Sequence, residues 1–423
     1  MVKKNNVLCA VAATVAILAA GCASVGGAGT KCGSTTVHDG KLDIFPGEDT
    51  IPILSWHCIT PANISVEHYK ELKECGFNLS FPHISKHEDA LKALDCAAEA
   101  GVRVLLLSSD LHKEPEKIVP QVMNHPGLAG YHLRDEPLKD AIPGLKKLND
   151  AIRQIDPNHF TYLNLLPSVV SPDALGMSYP EYIDYCYREV ECPLISYDCY
   201  GIVNNTLRPT YYENLELFAA ASKKMGKPFW AFALTTAHGP YPVPNAAQLK
   251  FQMYSNLAYG AQGLQYFTYW NPPTNRWDFH EAPILENGKR SSVYDVVREV
   301  NAELQKRNFV FMRSQVLWTR HTGATLPTGT TRLETTDFPA FLKKLDTHGK
   351  DAVVSLLEKN GTSYLVIVNG SFTEPLSLTT EFAPGVTRIR KDGTSVDADE
   401  YADTLTVPPG ECEVFAWNKQ KED

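Results

Sequence analysis

Positive charge is in short supply in this 423-residue chain: 40 Lys and Arg stand against 49 Asp and Glu, a net charge of −9. That balance argues against nucleic acid as a partner, because basic side chains supply the affinity for phosphate backbones. Long apolar runs are equally scarce. The longest near the start, Val7 to Ala20, is too short to span a bilayer. No glycine-rich phosphate loop, dinucleotide fingerprint or Ser/His/Asp nucleophile signature occurs, so no cofactor is implied. The cysteines are scattered, with no C-x-x-C pair and no His/Cys cluster at zinc spacing. Most of the eight beyond Cys22 fall in strands or on helix faces, where a free thiol acts as a small apolar group. Cys186 and Cys192 form a pair that an oxidising compartment would allow to bridge.

What is present begins with an export signal. Lys3 and Lys4 precede the apolar run, which ends Leu18-Ala-Ala-Gly-Cys22. That ending resembles a bacterial lipobox, although its Leu sits one place further from the cysteine than usual. The resemblance implies lipidation of Cys22 and a membrane anchor, facing the periplasm because no acidic run follows; an ordinary signal-peptidase site is the alternative. Residues 23–44, rich in Gly, Ser and Thr, read as a flexible tether.

From residue 45 to 308 one unit recurs: an amphipathic stretch, then Gly or Asp-Pro, then an apolar strand. Val66, Tyr69, Leu72 and Cys75 lie at helical spacing, and Gly76 closes that helix before Phe77–Phe81. With Ile51–Trp56 as the first strand, eight strand–helix pairs follow, which predicts a closed (β/α)8 barrel. An open doubly wound sheet would want a phosphate loop after the first strand, and Trp56-His-Cys-Ile-Thr-Pro61 offers none. Beyond Phe309 helical periodicity gives way to short β-rich runs such as Ser363–Val368, punctuated by Asn-Gly and Pro-Pro-Gly. That pattern predicts an antiparallel β-sandwich over 309–423.

In such barrels the chemistry sits where strands end. The first ends at Trp56-His57, the second at His83, the third at Asp110 and the fifth at Asn164. The sixth ends at Tyr197-Asp198-Cys199-Tyr200, the seventh near His238 and the eighth at Tyr269-Trp270, with Glu281 in the loop beyond. Any one of these is more often structural than functional, since His and Tyr are commonly half-buried. Together they bring aromatic faces and polar forks to one rim, a mixture suited to a carbohydrate.

The fourth strand ends Arg134-Asp135-Glu136-Pro137. A lone Asp-Glu-Pro would be an acidic turn, but at a strand terminus in a barrel it puts a carboxylic acid where a general acid is needed. It resembles the Asn-Glu-Pro acid/base motif of glycoside hydrolase clan A, whose members are β/α-barrels. Trp270 resembles that clan's sugar platform. Leu285–Tyr294 running into the last helix, and the sandwich ending Pro408–Trp417, are similar to family 42 and related β-galactosidase-type enzymes. The resemblance implies a glycoside hydrolase with Glu136 as acid. Two departures stand out. Asp135 replaces the clan's Asn, and the seventh strand, Phe229–Thr236, lacks the carboxylate that would act as nucleophile.

Asp198, two strands from Glu136, is the expected second carboxylate. Two strand spacings separate the backbones by roughly 9 Å, within the roughly 6.5–9.5 Å of an inverting pair. Asp110, Asp135 and Glu281 are reserves. If the fourth strand stays regular, Arg134 shares a face with Glu136 and either turns away or binds an acidic sugar. Two other functions remain open: a non-catalytic glycan-binding protein on a degenerate barrel, and a metal-dependent hydrolase using His57, His83, Asp110 and His238.

Overall fold

A computed structural model describes residues 49–274, 277–398 and 403–418, and the backbone of 36–38 and 41–43. Cys22 and the segment read as an export signal lie outside the described residues. Within the stretch read as a tether, Thr36–His38 pairs antiparallel with Lys41–Asp43.

Eight parallel strands form the barrel: β1 (Ile53–Trp56), β2 (Leu79–Phe81), β3 (Arg103–Leu106), β4 (Leu128–Asp135), β5 (Phe160–Asn164), β6 (Ile195–Tyr197), β7 (Phe229–Leu234) and β8 (Gly263–Phe267). Neighbours in sequence are neighbours in the sheet from β1 to β5 and from β6 to β8, and β8 pairs with β1. The ring closes where Leu165 bridges Tyr197 in parallel. After the strands come α1 (Val66–Glu74), α2 (His87–Ala100), α3 (Pro115–Val122), α4 (Ile142–Ile155), α5 (Tyr179–Val190), α6 (Tyr211–Met225), α7 (Ala246–Ala258) and α8 (Ser292–Lys306). Their ends carry the expected chemistry: Ser65 caps α1, Asn245 and Gln248 form a capping box on α7, and left-handed Gly101 and Gly226 stop α2 and α6.

Strand residues alternate between two cores. Leu54, Trp56, Leu79, Phe81, Leu105, Phe160, Tyr162, Trp230 and Phe232 fill the lumen, while Ile53, Val104, Leu163, Ile195 and Leu264 meet the helices. Both faces are covered, which is why the strands read as unbroken apolar runs. The seven described cysteines are buried and free, Cys186 and Cys192 among them. Among the described residues, no helix is long and apolar enough to cross a membrane.

The C-terminal domain is a β-sandwich. A six-stranded antiparallel sheet runs β9 (Gln315–His321), β11 (Ala352–Lys359), β12 (Thr362–Asn369), β17 (Cys412–Asn418), β14 (Thr387–Ile389) and β15 (Ser395–Asp397). It faces a three-stranded sheet of β10 (Leu342–Asp346), β13 (Leu376–Phe382) and β16 (Asp403–Val407). Along β12, Leu365 and Ile367 pack between the sheets, whereas Val366 and Val368 join the barrel's outer core. The central strands of the six-stranded sheet are therefore buried on both faces. Polar ties seal the junction: Lys250 of α7 bonds Glu303 of α8 and Glu411, and Arg307 reaches the Cys412 carbonyl at 3.1 Å.

Candidate active site

The site is set by an irregularity in β4. Against β5, His132 pairs with Tyr162, Arg134 with Leu163, and Asp135 with Asn164, so Leu133 is an extra residue. In a regular strand Arg134 and Glu136 would share the lumen side. The bulge reverses this. Arg134 takes the register of outward-facing Leu163, and Asp135 that of Asn164 at the mouth. Glu136 follows in a left-handed conformation, φ +47°, with its amide donating to the Asn164 carbonyl at 2.9 Å. A positive φ at a residue other than glycine costs of order 1–3 kcal/mol. The surrounding hydrogen bonds hold Glu136 there, with its carboxyl bonded to that of Asp198.

Asn164 organises the group. Its side-chain amide donates to Asp135 at 3.1 Å and to Asp198 at 2.9 Å. Which way the amide points is fixed from below. Ser196 donates to the Asn164 oxygen at 2.9 Å, Gln265 donates to Ser196 at 2.8 Å, and Tyr162 lies 2.8 Å from Ser196. These polar side chains from β5, β6 and β8 form a stalk through the lumen with Asn164 at its tip.

Three carboxyl groups so close cannot all be charged cheaply. Burial raises the Asp198 carboxyl well above the ordinary range, and the charges of Glu136 and Asp135 raise it further. Glu136 is raised by the same burial and by Asp135, with the Asp198 hydrogen bond opposing. Enclosure also raises Asp135, against the pull of Asn164 and Arg134. Glu136 and Asp198 therefore titrate as a pair that keeps a proton beyond the usual carboxylate range. Their hydrogen bond leaves no room for the water that the expected inverting separation would hold between them.

The rest of the expected rim divides. Tyr200 stays at the mouth, its ring 5.5 Å from Phe267 and 5.7 Å from Tyr241. His57 (also φ-positive) and His83 face each other with their Nδ1 atoms 3.0 Å apart, and burial lowers the His57 imidazole to about 4. Trp56 is a lumen residue beneath them, in contact with Phe81 and Phe232. His238 is buried among Tyr241, Phe279 and Trp277, its Nδ1 bonded to the Thr236 carbonyl at 3.0 Å.

Other expectations need correction. Trp270 is 1% exposed and packs against His68 in the outer core, so it presents no face to a sugar. Tyr269 is equally buried, and Tyr197 stacks on Phe218 of α6 at 3.9 Å, because an odd step along the strand sends each ring outward. Asp110 sits in the first turn of a short helix, lining a separate cleft with Lys86, Glu114 and Lys117. Glu281 lines another cleft of about 440 Å³ with Asn271, Phe279 and His280. Among the described residues, no three His, Cys, Asp or Glu side chains are grouped to hold a metal ion.

Where β7 ends, Thr235 and Thr236 are fully buried. Thr235 donates to the Thr268 carbonyl at 2.6 Å, and the Thr236 and Thr268 hydroxyls lie 2.6 Å apart. Two rim features escaped the sequence. His132 lies one inward position below Asp135, stacked between Phe81 and Tyr162, well inside the strand and away from the strand ends where function was sought. Trp277 is half exposed and packs against Gly239, where any Cβ would approach its ring to 3.1 Å.

Comparison with known proteins agrees with this architecture. The family model of the family 42 glycoside hydrolases, described as β-galactosidase, matches residues 116–307, from α3 to the end of α8. No curated protein sequence matches. A β-galactosidase from Bacillus circulans sp. alkalophilus shares the fold at 10% identity and TM-score 0.61, over 89% of this chain and 100% of its own. A glycoside hydrolase family 5 protein from Bacteroides vulgatus gives 12% identity and TM-score 0.57, over 93% and 94%. The chain spans 60% of the length of a β-galactosidase from psychrophilic Marinomonas ef1, which covers 60% of this chain at 10% identity and TM-score 0.47. The family match and the barrel-plus-sandwich architecture support a glycoside hydrolase acting on carbohydrate.

Proposed function

We propose that the protein cleaves a glycosidic bond in an oligosaccharide or polysaccharide outside the cytoplasm, with Glu136 as general acid and Asp198 as the second carboxyl, hydrogen-bonded to it. The observation that carries this is the cluster of Glu136, Asp198 and Asp135 around the Asn164 amide at the strand ends. An acid that must protonate a leaving oxygen needs a raised pKa, and burial plus the neighbouring Asp135 supply it, against the Asp198 hydrogen bond. Tyr200, Phe267 and Trp277 are the aromatic faces available for sugar rings, and His57 and His83 the polar partners for hydroxyls. Export and anchoring through Cys22 belong to the same proposal, on the strength of the leader sequence alone; the mass of the mature N-terminal peptide tests them.

A second function, glycan binding without turnover, draws its support from the buried threonines of β7. Product-detected hydrolysis over a panel of oligosaccharides, with wild type and Glu136→Gln side by side, separates the two. Glu136→Gln is expected to lower kcat/KM by about 10²–10⁴-fold. Survival of cleavage would move the acid elsewhere, and binding without cleavage by the wild type would favour the second function.

A further inference from the structure

Hydrolysis by two protein carboxyls needs them at a set separation: about 5–5.5 Å for a covalent intermediate, roughly 6.5–9.5 Å when water stands between. Glu136 instead meets its partner in direct hydrogen-bond contact. Across the mouth, β7 delivers only Thr235 and Thr236, sealed against Thr268. Among the described residues the acid has a home and the nucleophile has none. A sugar with an acetamido group on C2 brings its own, since the amide oxygen reaches C1 to close a five-membered ring.

We propose that the substrates are glycosides of 2-acetamido-2-deoxy sugars, with the substrate's acetamido oxygen as nucleophile, Glu136 as acid and Asp135 as acceptor for the acetamido N–H. This rests on the assignment of Glu136 as the acid. Asp198 already serves Asn164 and Glu136, whereas Asp135 has one hydrogen bond, from Asn164, and an oxygen to spare. The bulge at Leu133 turns Asp135 into the mouth directly before Glu136, so one strand end presents both groups. The rings of Tyr200 and Phe267, 5.5 Å apart and half-buried, make an apolar wall for the acetamido methyl. An independent sign of a ligand lies beneath. His132 is 4% exposed and aimed into the lumen below Asp135, and neither of its ring nitrogens has a partner. A buried imidazole left so is costly unless a ligand hydroxyl or ordered water completes it.

The chemistry balances. As the C1–O bond breaks, Glu136 gives its proton to the leaving oxygen and the acetamido oxygen bonds C1, forming a cyclic oxazolinium whose N–H is held by the Asp135 carboxylate. Water then yields a proton to Glu136 while its oxygen bonds C1, reopening the ring and restoring the acetamide. One water is consumed, nothing is oxidised or reduced, and two inversions retain the anomeric configuration.

The test uses the full chain with 4-nitrophenyl glycosides, both anomers, of N-acetylglucosamine and N-acetylgalactosamine against glucose and galactose. A preference of about 100-fold or more for the acetamido substrates is expected, with retention seen by NMR. The kcat of the wild type should fall steeply as the acetyl group is successively fluorinated, because each fluorine weakens the amide oxygen as nucleophile. Asp135→Asn should lower kcat by about 100-fold with little change in KM. Equal or better cleavage of the 2-hydroxy sugars, inversion, or a flat fluorine series would overturn this proposal. If that cleavage still collapses in Glu136→Gln, the glycosidase assignment survives. No turnover of any glycoside would remove both.

Discussion

On the β4–β6 side of the mouth three carboxyl groups crowd around one amide, whereas on the β7–β8 side Thr235 and Thr236 are tied to Thr268 and sealed from water. The first side carries unfavourable features together: a bulge, a positive φ at Glu136 and carboxyls held above their usual pKa. The second is satisfied and neutral. Strain and unmet charge persist where surrounding structure enforces them, and such places are more often functional than structural. Under the proposed function, the contrast puts the acid chemistry on one half of the rim and leaves the other to pack and bind.

The sharpest way to break the contrast is Asp198→Asn. The amide can donate to Glu136 but cannot share a proton with it, so Glu136 becomes a stronger acid. A loss of about 100-fold in kcat is expected, with the alkaline limb of the rate profile moved to lower pH. Stability should move the other way. The Asp198 pKa is raised above its unfolded value of about 3.8, so its favourable contribution is complete below that pH and is lost as pH rises through the folded value. Thermal melting at pH 7 should show the variant more stable by about 1 kcal/mol. A variant that melts lower, or keeps its rate profile, would remove the coupled pair.

Trp277→Ala probes the neutral side, where the exposed indole leans on Gly239. Loss of a stacking face should raise KM about three- to tenfold at nearly constant kcat. Steady-state kinetics on an oligosaccharide decides it, and a fall in kcat alone would put Trp277 outside the binding path. Smallest is Thr236→Val. Leaving the buried Thr268 amide without its Thr236 acceptor should lower stability by about 1 kcal/mol in chemical denaturation, with kcat within about twofold of wild type on the same scale of structural substitutions. A large kcat loss would show that β7 takes part in the chemistry.

Much of the frame was legible in the chain. Asp135-Glu136-Pro137 follows an apolar run that could only be a buried strand, and capping and stop residues marked the helices around it. Which way each rim side chain points was far less legible. Side chains alternate with period two, so a single extra residue at Leu133 exchanged the directions of Arg134 and Asp135. The same sensitivity sent Trp270 and Tyr197 into the outer core although both stand at strand ends. Asn164 was foreseen as a sugar contact. Its clamp on two carboxylates depends on Ser196 and Gln265, which come from other strands and carry no motif.

By itself the sequence determined the repeating strand–helix units, the change to a sandwich after the last helix, and the placing of an acid at the end of β4. Those follow from local periodicity and turn chemistry, which each segment carries alone. Only the tertiary structure decided that Glu136 meets Asp198, that Trp277 rather than Trp270 is exposed, and that the end of β7 is closed. These depend on register and packing between segments far apart in the chain, where a shift of one residue or a few ångströms turns a ligand-facing group into a buried one.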